Sequence, residues 1–381
     1  MYSKLFSIAA LASAASAQGQ GLAAILAATQ ETSQLAALVA TLPDVAGQLA
    51  GLNNITLLAP SNSAVATLLN SSAGAGLSSN PSLLQAVLTY HVLTGEYPAS
   101  AVPTSAAFVP TALNNPQYSH VTGGQRLEVV RSGDTVTFTS GLLANSSVTQ
   151  ANIKFTGGVL HVIDHVLTLP QNVSSTLVNA GLSSLYGALN ATGLLDTVNG
   201  LQNVTIFAPQ NAAFQRVGSA LGSASTDTLK AVLTYHVHVG QEPLYSTSLQ
   251  NGSTLSTLNG VNLNIHTGSN GIFVNSAKVV TPNVLIAGGV VHIIDNVLNP
   301  NQTAAASTSA GTGSPAFSDA TSASSAPFTS GVATPTAPVG AGAGTGGSNT
   351  TKTSTAGAMP MVTGAVGMGA LFGAGAVLAN I

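Results

Sequence analysis

The sequence predicts an α+β protein made of two tandem copies of one domain, and three observations support this prediction. Three sequence blocks occur twice, in the same order. In each copy, apolar residues recur first at helical spacing and later with the period of two that is typical of strands. Each copy is about 130 to 150 residues long, which is enough to bury a core of its own. The repeat therefore indicates two domains rather than a solenoid of short units.

The repeated blocks fix how the two copies correspond. The offset between them falls from 149 to 145 to 131 residues along the chain, so the first copy carries extra loop, which we place between Pro98 and Tyr118. The blocks pair as Asn54–Ala64 with Asn203–Ala213, Leu84–Val92 with Leu229–Val237, and Gly157–Leu167 with Gly288–Leu298.

The first half of each copy is predicted to be mainly helical. In the second copy, leucines between residues 177 and 189 recur at helical spacing. A buried strand over residues 204–207 follows and ends at Pro209, and Asn211 is placed to cap the next helix. A further helix is predicted from Thr226 or Asp227 through Leu233.

The second half of each copy is predicted to be β-structure. In the second copy, apolar residues alternate from Val261 to Ile265, and a Gly-rich turn at 268–271 leads to a second alternating run, which predicts a hairpin. In the first copy a turn at Ser132-Gly133-Asp134 takes the same place. Both copies then close on a strand rich in Val and Ile.

Together these blocks resemble the fasciclin domain family. The signatures are Thr205–Phe214 (TIFAPQNAAF), the Tyr-His pair and the closing Gly-Gly-Val-x-His-x-Ile-Asp. All three occur twice and in order, which makes the resemblance specific, and it covers about residues 20–168 and 171–299. The resemblance implies a compact β-wedge with N-terminal helices, carried by extracellular or cell-surface proteins that mediate adhesion.

The first copy departs from the family pattern at two positions. Leu58 stands where the second copy has Phe207, and Val65 stands where it has Phe214. Both substitutions replace an aromatic ring with a smaller side chain, so we expect weaker core packing in the first domain.

Two Tyr-His pairs are candidates for a functional role. Each pair is predicted at a helix-to-strand junction, where Tyr and His would most simply satisfy each other or nearby backbone groups. The family resemblance implies a second interpretation, because the segment around this pair has been implicated in receptor adhesion in animal members. The adhesion candidates are therefore Tyr90, His91, Tyr235 and His236, with the partner (a surface receptor, a matrix component or a wall glycan) left open.

The segment His161-Val-Ile-Asp164-His165 is the most catalytic-looking feature. On a helix its three polar side chains would share one face, as zinc ligands must. However, its Val and Ile content predicts a strand, in which Asp164 would face away from both histidines, and the second copy has Asn296 in place of His165. We expect no metal, cofactor or catalytic site here, and we expect His161 and His292 to be hydrogen-bonded structural residues.

The composition excludes several classes of protein. The chain has no Cys, which rules out a disulfide scaffold and a thiolate metal site. Only 8 Lys and Arg stand against 11 Asp and Glu in 381 residues, which gives no electrostatic footprint for nucleic acid. The sequence has neither a Gly-x-Ser-x-Gly nucleophile motif nor a phosphate-binding P-loop motif.

The two termini have the pattern of targeting signals. Residues 1–17 combine a basic start, a short apolar core and Ala15-Ser16-Ala17, which predicts a secretory signal peptide rather than a buried helix. Residues 356–381 are uncharged and largely apolar. A polar spacer and a window of small residues precede them, which predicts a glycosylphosphatidylinositol (GPI) anchor, with a weak transmembrane helix as the alternative. The attachment window is Gly346, Gly347, Ser348 and Asn349.

Residues 300–355 consist almost entirely of Ser, Thr, Ala, Gly and Pro. This composition predicts a disordered, O-glycosylated stalk. The chain also carries nine Asn-x-Ser/Thr sequons, of which the one at Asn349 falls inside the anchor window. The predicted N-glycosylation sites are Asn54, Asn70, Asn145, Asn172, Asn190, Asn203, Asn251 and Asn301.

These features together predict a non-enzymatic adhesion glycoprotein, held by a lipid anchor at the outer face of the plasma membrane or in the cell wall. A structural cell-wall glycoprotein is the first alternative, and a wall-remodelling enzyme is the second. Charged residues make up only 5% of the chain, so we also expect glycans to supply much of its solubility.

Overall fold

The computed structural model describes residues 20–304 and 311–333. The predicted signal peptide, the anchor-attachment window and the apolar tail lie outside these residues. Within them, two domains repeat one order of elements, with helices first and a seven-stranded sheet after. No single helix in the described part is long and apolar enough to cross a bilayer. One pair of helical segments, Leu22–Ala28 and Gln30–Ala40, is together long and apolar enough, but the pair is bent by 104°.

In domain 1, three short helices precede the first strand. The helices are α1 (Leu22–Ala28), α2 (Ser33–Ala40), α3 (Pro43–Ala50), α4 (Asn62–Leu69), α5 (Ser72–Ser79) and α6 (Pro81–Tyr90). The strands are β1 (Ile55–Pro60), β2 (Val92–Thr94), β3 (Ala107–Pro110), β4 (Arg126–Ser132), β5 (Thr135–Thr139), β6 (Asn145–Phe155) and β7 (Gly158–Ile163).

Domain 2 repeats this order. The helices are α7 (Val173–Asn179), α8 (Ser183–Ala191), α9 (Leu195–Asn199), α10 (Asn211–Arg216), α11 (Gly218–Gly222) and α12 (Thr226–Tyr235). The strands are β8 (Val204–Pro209), β9 (Val237–Val239), β10 (Thr254–Ser256), β11 (Asn262–Gly268), β12 (Gly271–Val274), β13 (Ala277–Ile286) and β14 (Gly289–Ile294).

In the sheet of each domain, the first and last long strands lie side by side, next to a short strand at one edge. In domain 1 the order is β2-β1-β7-β6-β5-β4-β3, and β1 pairs in parallel with β7. In domain 2, β8 pairs in parallel with β14 in the same way. A bridge between Leu93 and Thr111 brings the two edges of the domain 1 sheet together, so the sheet is barrel-like. All six residues of β1 and of β8 are buried, as expected for a strand covered on both faces.

Two local predictions from the sequence are refined by the fold. The N-cap of α10 is Gln210, and Asn211 is instead the first helical residue. The Asn211 side chain accepts a hydrogen bond from the Ser184 backbone N–H (3.0 Å) and donates to the Gly181 carbonyl (2.9 Å), so it ties α10 to α8. The helix predicted from residue 226 or 227 is α12, and the Ser225 side chain caps it.

Each domain has one core between the helices and the sheet and a second core inside the curved sheet. In domain 2 the rings of Phe207 and Phe214 are buried in these cores. In domain 1 their counterparts Leu58 and Val65 line a void of about 60 Å³ beside the helices. The smaller side chains of domain 1 therefore line empty space at positions where domain 2 has buried rings.

The extra length of the first copy forms part of the interface between the domains. The β3–β4 connection runs over residues 111–125, whereas the β10–β11 connection runs over 257–261. The insertion therefore lies within residues 111–125, which overlap only the end of the predicted stretch between Pro98 and Tyr118. The Gln125 side-chain amide donates to the Ile286 carbonyl (3.1 Å), and the His120 backbone N–H donates to the Ala287 carbonyl (2.7 Å). The Phe108 and Tyr245 rings stack across the same interface, with 4.0 Å between centroids.

Part of the predicted stalk lies against domain 2, which corrects the prediction that residues 300–355 are disordered throughout. Residues 311–333, which we call the strap, follow an irregular path over α8, α10 and α11. Ala316 is buried, and the Phe328 ring lies edge-on to Phe214 with 6.4 Å between centroids. Gly187 makes this path possible, because the carbonyl of Phe328 occupies the space that a Cβ atom at Gly187 would need.

Backbone hydrogen bonds hold the strap along its length. The Thr321 N–H donates to the Ser219 hydroxyl (2.7 Å), and the Gly313 N–H donates to an Asp295 carboxylate oxygen (2.7 Å). The average composition of the stalk predicted disorder, but a few apolar side chains at the right spacing meet a preformed apolar surface. Such local complementarity is invisible to a compositional argument.

Candidate functional site

The two Tyr-His pairs are buried, which corrects their assignment as direct adhesion contacts. Tyr90 and Tyr235 are 0% exposed, and His91 and His236 are 3% and 2% exposed. A receptor cannot reach these side chains while the domains are folded. The interpretation from the residues themselves, that Tyr and His satisfy nearby backbone groups, agrees with the structure.

His91 joins the end of α6 to the segment that follows β7. Its Nδ1 donates to the Val87 carbonyl (2.7 Å), and its Nε2 accepts from the Leu167 backbone N–H (3.0 Å). An Nε2 that accepts a hydrogen bond carries no proton, so the ring is the neutral Nδ1–H tautomer. Burial lowers the pKa of His91 to about 4, which keeps it neutral at physiological pH. His236 makes the equivalent pair of bonds, to Val232 and Leu298, and burial lowers its pKa to about 4 as well.

Each tyrosine hydroxyl donates a hydrogen bond to a backbone carbonyl at the start of a strand in its own domain. Tyr90 donates to the Arg126 carbonyl (3.1 Å) at the start of β4. Tyr235 donates to the Asn262 carbonyl (3.0 Å) at the start of β11 and accepts from the Asn275 side chain (2.7 Å). The pairs therefore fasten the last helix of each domain to one strand of its sheet and to the segment that follows its last strand.

His161 and His292 are structural residues on the last strand of each domain, β7 and β14. His161 Nδ1 accepts from the Asn152 backbone N–H (3.2 Å), and its Nε2 donates to the Tyr97 carbonyl (2.9 Å). His292 makes the same bonds with Asn283 and Leu244. Asn152 and Asn283 have positive φ angles at irregularities in β6 and β13. Each histidine therefore satisfies the backbone N–H that a bulged strand leaves without a ladder partner.

Asp164 does not face away from His165, which corrects one detail of the strand prediction. β7 ends at Ile163, so the alternation of side chains does not extend to Asp164. One carboxylate oxygen of Asp164 accepts from His165 Nδ1 (2.8 Å) and from the Ser147 backbone N–H (2.7 Å). In domain 2, Asn296 donates to Asp295 in the same way (2.9 Å). An Asn can replace the histidine because either side chain can donate the hydrogen bond to the preceding aspartate, where the chain turns after the last strand. Among the described residues, no group of three His, Cys, Asp or Glu side chains could hold a metal ion.

Seven of the eight predicted N-glycosylation sites are exposed, and Asn203 is buried (8% exposed). Asn203 Nδ2, the atom to which a glycan would be joined, donates to the Thr122 hydroxyl (2.8 Å) and to the Gln241 carbonyl (2.7 Å). Its Oδ1 accepts from the Thr122 backbone N–H (2.9 Å). A glycan on Asn203 is incompatible with these interdomain contacts, so we remove Asn203 from the predicted sites. Its counterpart Asn54 faces solvent.

The sequence reasoning missed the surface made by the insertion of domain 1. A groove of about 1060 Å³ runs between this insertion and the helices α3 and α6 and reaches Gln202 of domain 2. The signal for it was the fall in the repeat offset, which marks chain that one domain has and the other lacks.

The described part of this chain is a pair of barrel-like domains that carry exposed Asn-x-Ser/Thr sequons. The comparisons with known proteins identify its family. The fasciclin domain is matched twice, over residues 30–170 and 180–300. The chain therefore belongs to the fasciclin domain family.

Several relatives of the chain have names that refer to the cell surface or to glycosylation. A fasciclin-like arabinogalactan protein of Arthroderma benhamiae is 35% identical over 310 residues, which is 81% of this chain and 73% of the relative. The cell surface glycolipoprotein MPB83 of Mycobacterium bovis is 38% identical over 141 residues, 36% of this chain and 61% of the relative. A solved FAS1 domain pair from the insect cell adhesion molecule fasciclin I is 21% identical with a TM-score of 0.35, and the match covers 70% of this chain and 94% of that one.

Proposed function

We propose that this protein is a non-enzymatic adhesion glycoprotein of the cell surface. The observation that carries the proposal is the family match in two tandem domains, together with relatives named as surface or arabinogalactan-type glycoproteins. The matched family does not indicate a catalytic activity, and the catalytic-looking histidines make structural hydrogen bonds. A wall-remodelling enzyme is therefore the least supported alternative.

The proposal places the two domains outside the cell, on the plasma membrane or in the wall, through a GPI anchor. It rests on the pattern of residues 1–17 and 356–381 in the sequence. The partner is a surface receptor, a matrix component or a wall glycan. Each contact can be weak, because many anchored copies on one surface supply avidity.

Attachment of intact cells tests the adhesion role. Loss of the protein should reduce attachment to a neighbouring cell, a matrix or a substrate, and re-expression of the full chain should restore it. Attachment that is unchanged by loss of the protein would refute the proposal. Phospholipase treatment of intact cells tests the anchor separately, because it should release the protein into the medium only if the anchor is a GPI lipid.

A structural cell-wall glycoprotein is the second candidate, and the Ser/Thr-rich stretch over residues 300–355 favours it, because that composition is typical of a carrier of O-glycans. In that case the glycans rather than the folded domains carry the role. A chain that keeps residues 1–19 and 300–381 but lacks the two domains separates the two candidates. This short chain should restore wall integrity if the second candidate is right, and it should fail to restore attachment if the first is right.

A further inference from the structure

The groove beside the insertion of domain 1 is the one large feature of the described surface that the structural contacts above leave unexplained. Its walls are α3, α6 and residues 111–124, and its far end is Gln202 of domain 2. The corresponding connection of domain 2, residues 257–261, is ten residues shorter than the 111–125 connection. The groove is therefore a property of domain 1 and of the arrangement of the two domains.

Besides Asn115, whose side-chain oxygen accepts from the Gln117 backbone N–H, four side-chain amides from four separate segments line this groove. They belong to Gln48 on α3, Gln85 on α6, Asn114 in the insertion and Gln202 in domain 2. Gln85 is half-buried and the other three are exposed. None of the four has a side-chain hydrogen bond to any other described residue, whereas the side-chain amides of Asn203 and Asn211 each make several within the protein. An amide both donates and accepts hydrogen bonds, so the groove offers unused capacity of both kinds.

The rest of the groove is apolar or bare backbone. Leu52, Pro116 and Val121 supply aliphatic surface. Gly47 lies in the wall as well, and a Cβ atom there would meet nothing within 4 Å, so the backbone is open to approach. The buried Nδ1 of His120, also in the lining, has no hydrogen-bond partner among the described residues.

The lining contains no Lys, Arg, Asp or Glu. Because only 5% of the whole chain is charged, this absence alone identifies no ligand. The convergence of unpaired amides over an aliphatic floor is more specific. It suits a ligand that is uncharged, that presents paired hydroxyl groups as both donors and acceptors, and that has C–H faces to lie on apolar surface. A groove of this volume is large enough for several linked rings.

We propose that this groove binds a neutral polysaccharide chain, with Gln48, Gln85, Asn114 and Gln202 as the residues that hydrogen-bond its hydroxyl groups. The inference rests on the proposed surface role, because it names the class of partner for that role. The ligand is a neutral hexose or N-acetylhexosamine polymer, and an acidic polysaccharide would gain no favourable charge contact in this lining.

Titration of the full chain with defined oligosaccharides tests this proposal. The probes are hexasaccharides of β-1,3-glucose, β-1,4-glucose, β-1,4-N-acetylglucosamine and α-1,6-mannose, and hexagalacturonate is the acidic probe. We expect saturable binding of at least one neutral probe and none of hexagalacturonate. Gln85→Ala and Asn114→Ala should each raise the dissociation constant by about fivefold, since each removes one or two hydrogen bonds to the ligand.

Two matched variants control this experiment. Gln250→Ala removes an exposed glutamine outside the groove and should leave the dissociation constant unchanged. Gln85→Lys installs the residue that domain 2 carries at the equivalent position, Lys230, and should weaken binding without disturbing the helix. Circular dichroism and the urea midpoint establish that each variant is folded.

Three outcomes would overturn the inference: no binding of any neutral probe, binding that the groove variants leave unchanged, or tighter binding of the acidic probe. The attachment assay is independent of these outcomes. If loss of the protein reduces attachment but the groove variants attach normally, the adhesion role stands and the groove is not its binding site.

Discussion

Filling the void in domain 1 is a direct test of how the two copies differ in packing. Val65 lines a void of about 60 Å³ where domain 2 has the buried ring of Phe214. Core cavities cost about 24 cal/mol per Å³, so this void corresponds to about 1.4 kcal/mol. Val65→Phe should therefore raise the free energy of unfolding of domain 1 by up to about 1.4 kcal/mol.

Urea and thermal unfolding of the full chain, followed by far-UV circular dichroism, measure this effect. The chain has no Trp, so the peptide signal is the practical probe. For a domain of this size, 1 kcal/mol shifts the melting temperature by about 2 to 4 °C. Phe214→Val is the matched control, and it should destabilise domain 2 by on the order of 2 kcal/mol because it creates a comparable cavity. A Val65→Phe variant that is less stable than the native chain would refute the reasoning, because it would mean that the void cannot accept a ring.

Four further predictions follow from the same structure. Burial lowers the pKa of His91, His236 and His292 from 6.5 to about 4. Between pH 4 and pH 6.5 the unfolded chain therefore binds more protons than the folded chain. The free energy of unfolding should fall by up to about 3 kcal/mol per histidine as the pH drops from 6.5 to 4, and a urea midpoint that is flat over this range would contradict the assignment. Peptide mapping should find glycan on Asn54 and none on Asn203; a glycan on Asn203 would show that the interdomain contacts do not form. Phe328→Ala should lower the stability of domain 2 by on the order of 1 kcal/mol through loss of the edge contact with Phe214, and an unchanged urea midpoint would argue against docking of the strap. Enzymatic removal of the glycans should increase aggregation, which light scattering would detect, and equal solubility of the two forms would refute that expectation.

Much of the fold was predictable because the repeat shows the sequence pattern of one fold twice. Strands β8 and β14, the hairpin of β11 and β12 and the helix that begins near residue 226 all follow from local periodicity and turn residues. These signals are local, since each depends on residues close together in the chain. The structural role of His292 could also be predicted, because a Val- and Ile-rich strand places a lone histidine next to backbone rather than beside other metal ligands.

The errors have a common physical cause, which is contact between residues far apart in the sequence. The adhesion interpretation of the Tyr-His pairs came from the family resemblance, and packing buries both pairs, which a sequence pattern does not show. Asn203 and Asn54 are equivalent in sequence, but only Asn203 meets the neighbouring domain. The strap was predicted to be disordered from its composition, whereas its docking depends on Gly187 and Phe214, more than a hundred residues earlier.

By itself, the sequence determined the two-domain repeat, the α+β class, the family resemblance and the absence of thiol chemistry, because periodicity and composition are properties of the chain alone. The tertiary structure decided which of two equivalent residues is buried, where the insertion lies and what it contacts. It also brought four amides from distant segments into one groove. Such positions depend on how helices, sheets and domains pack together, and no local pattern specifies that packing.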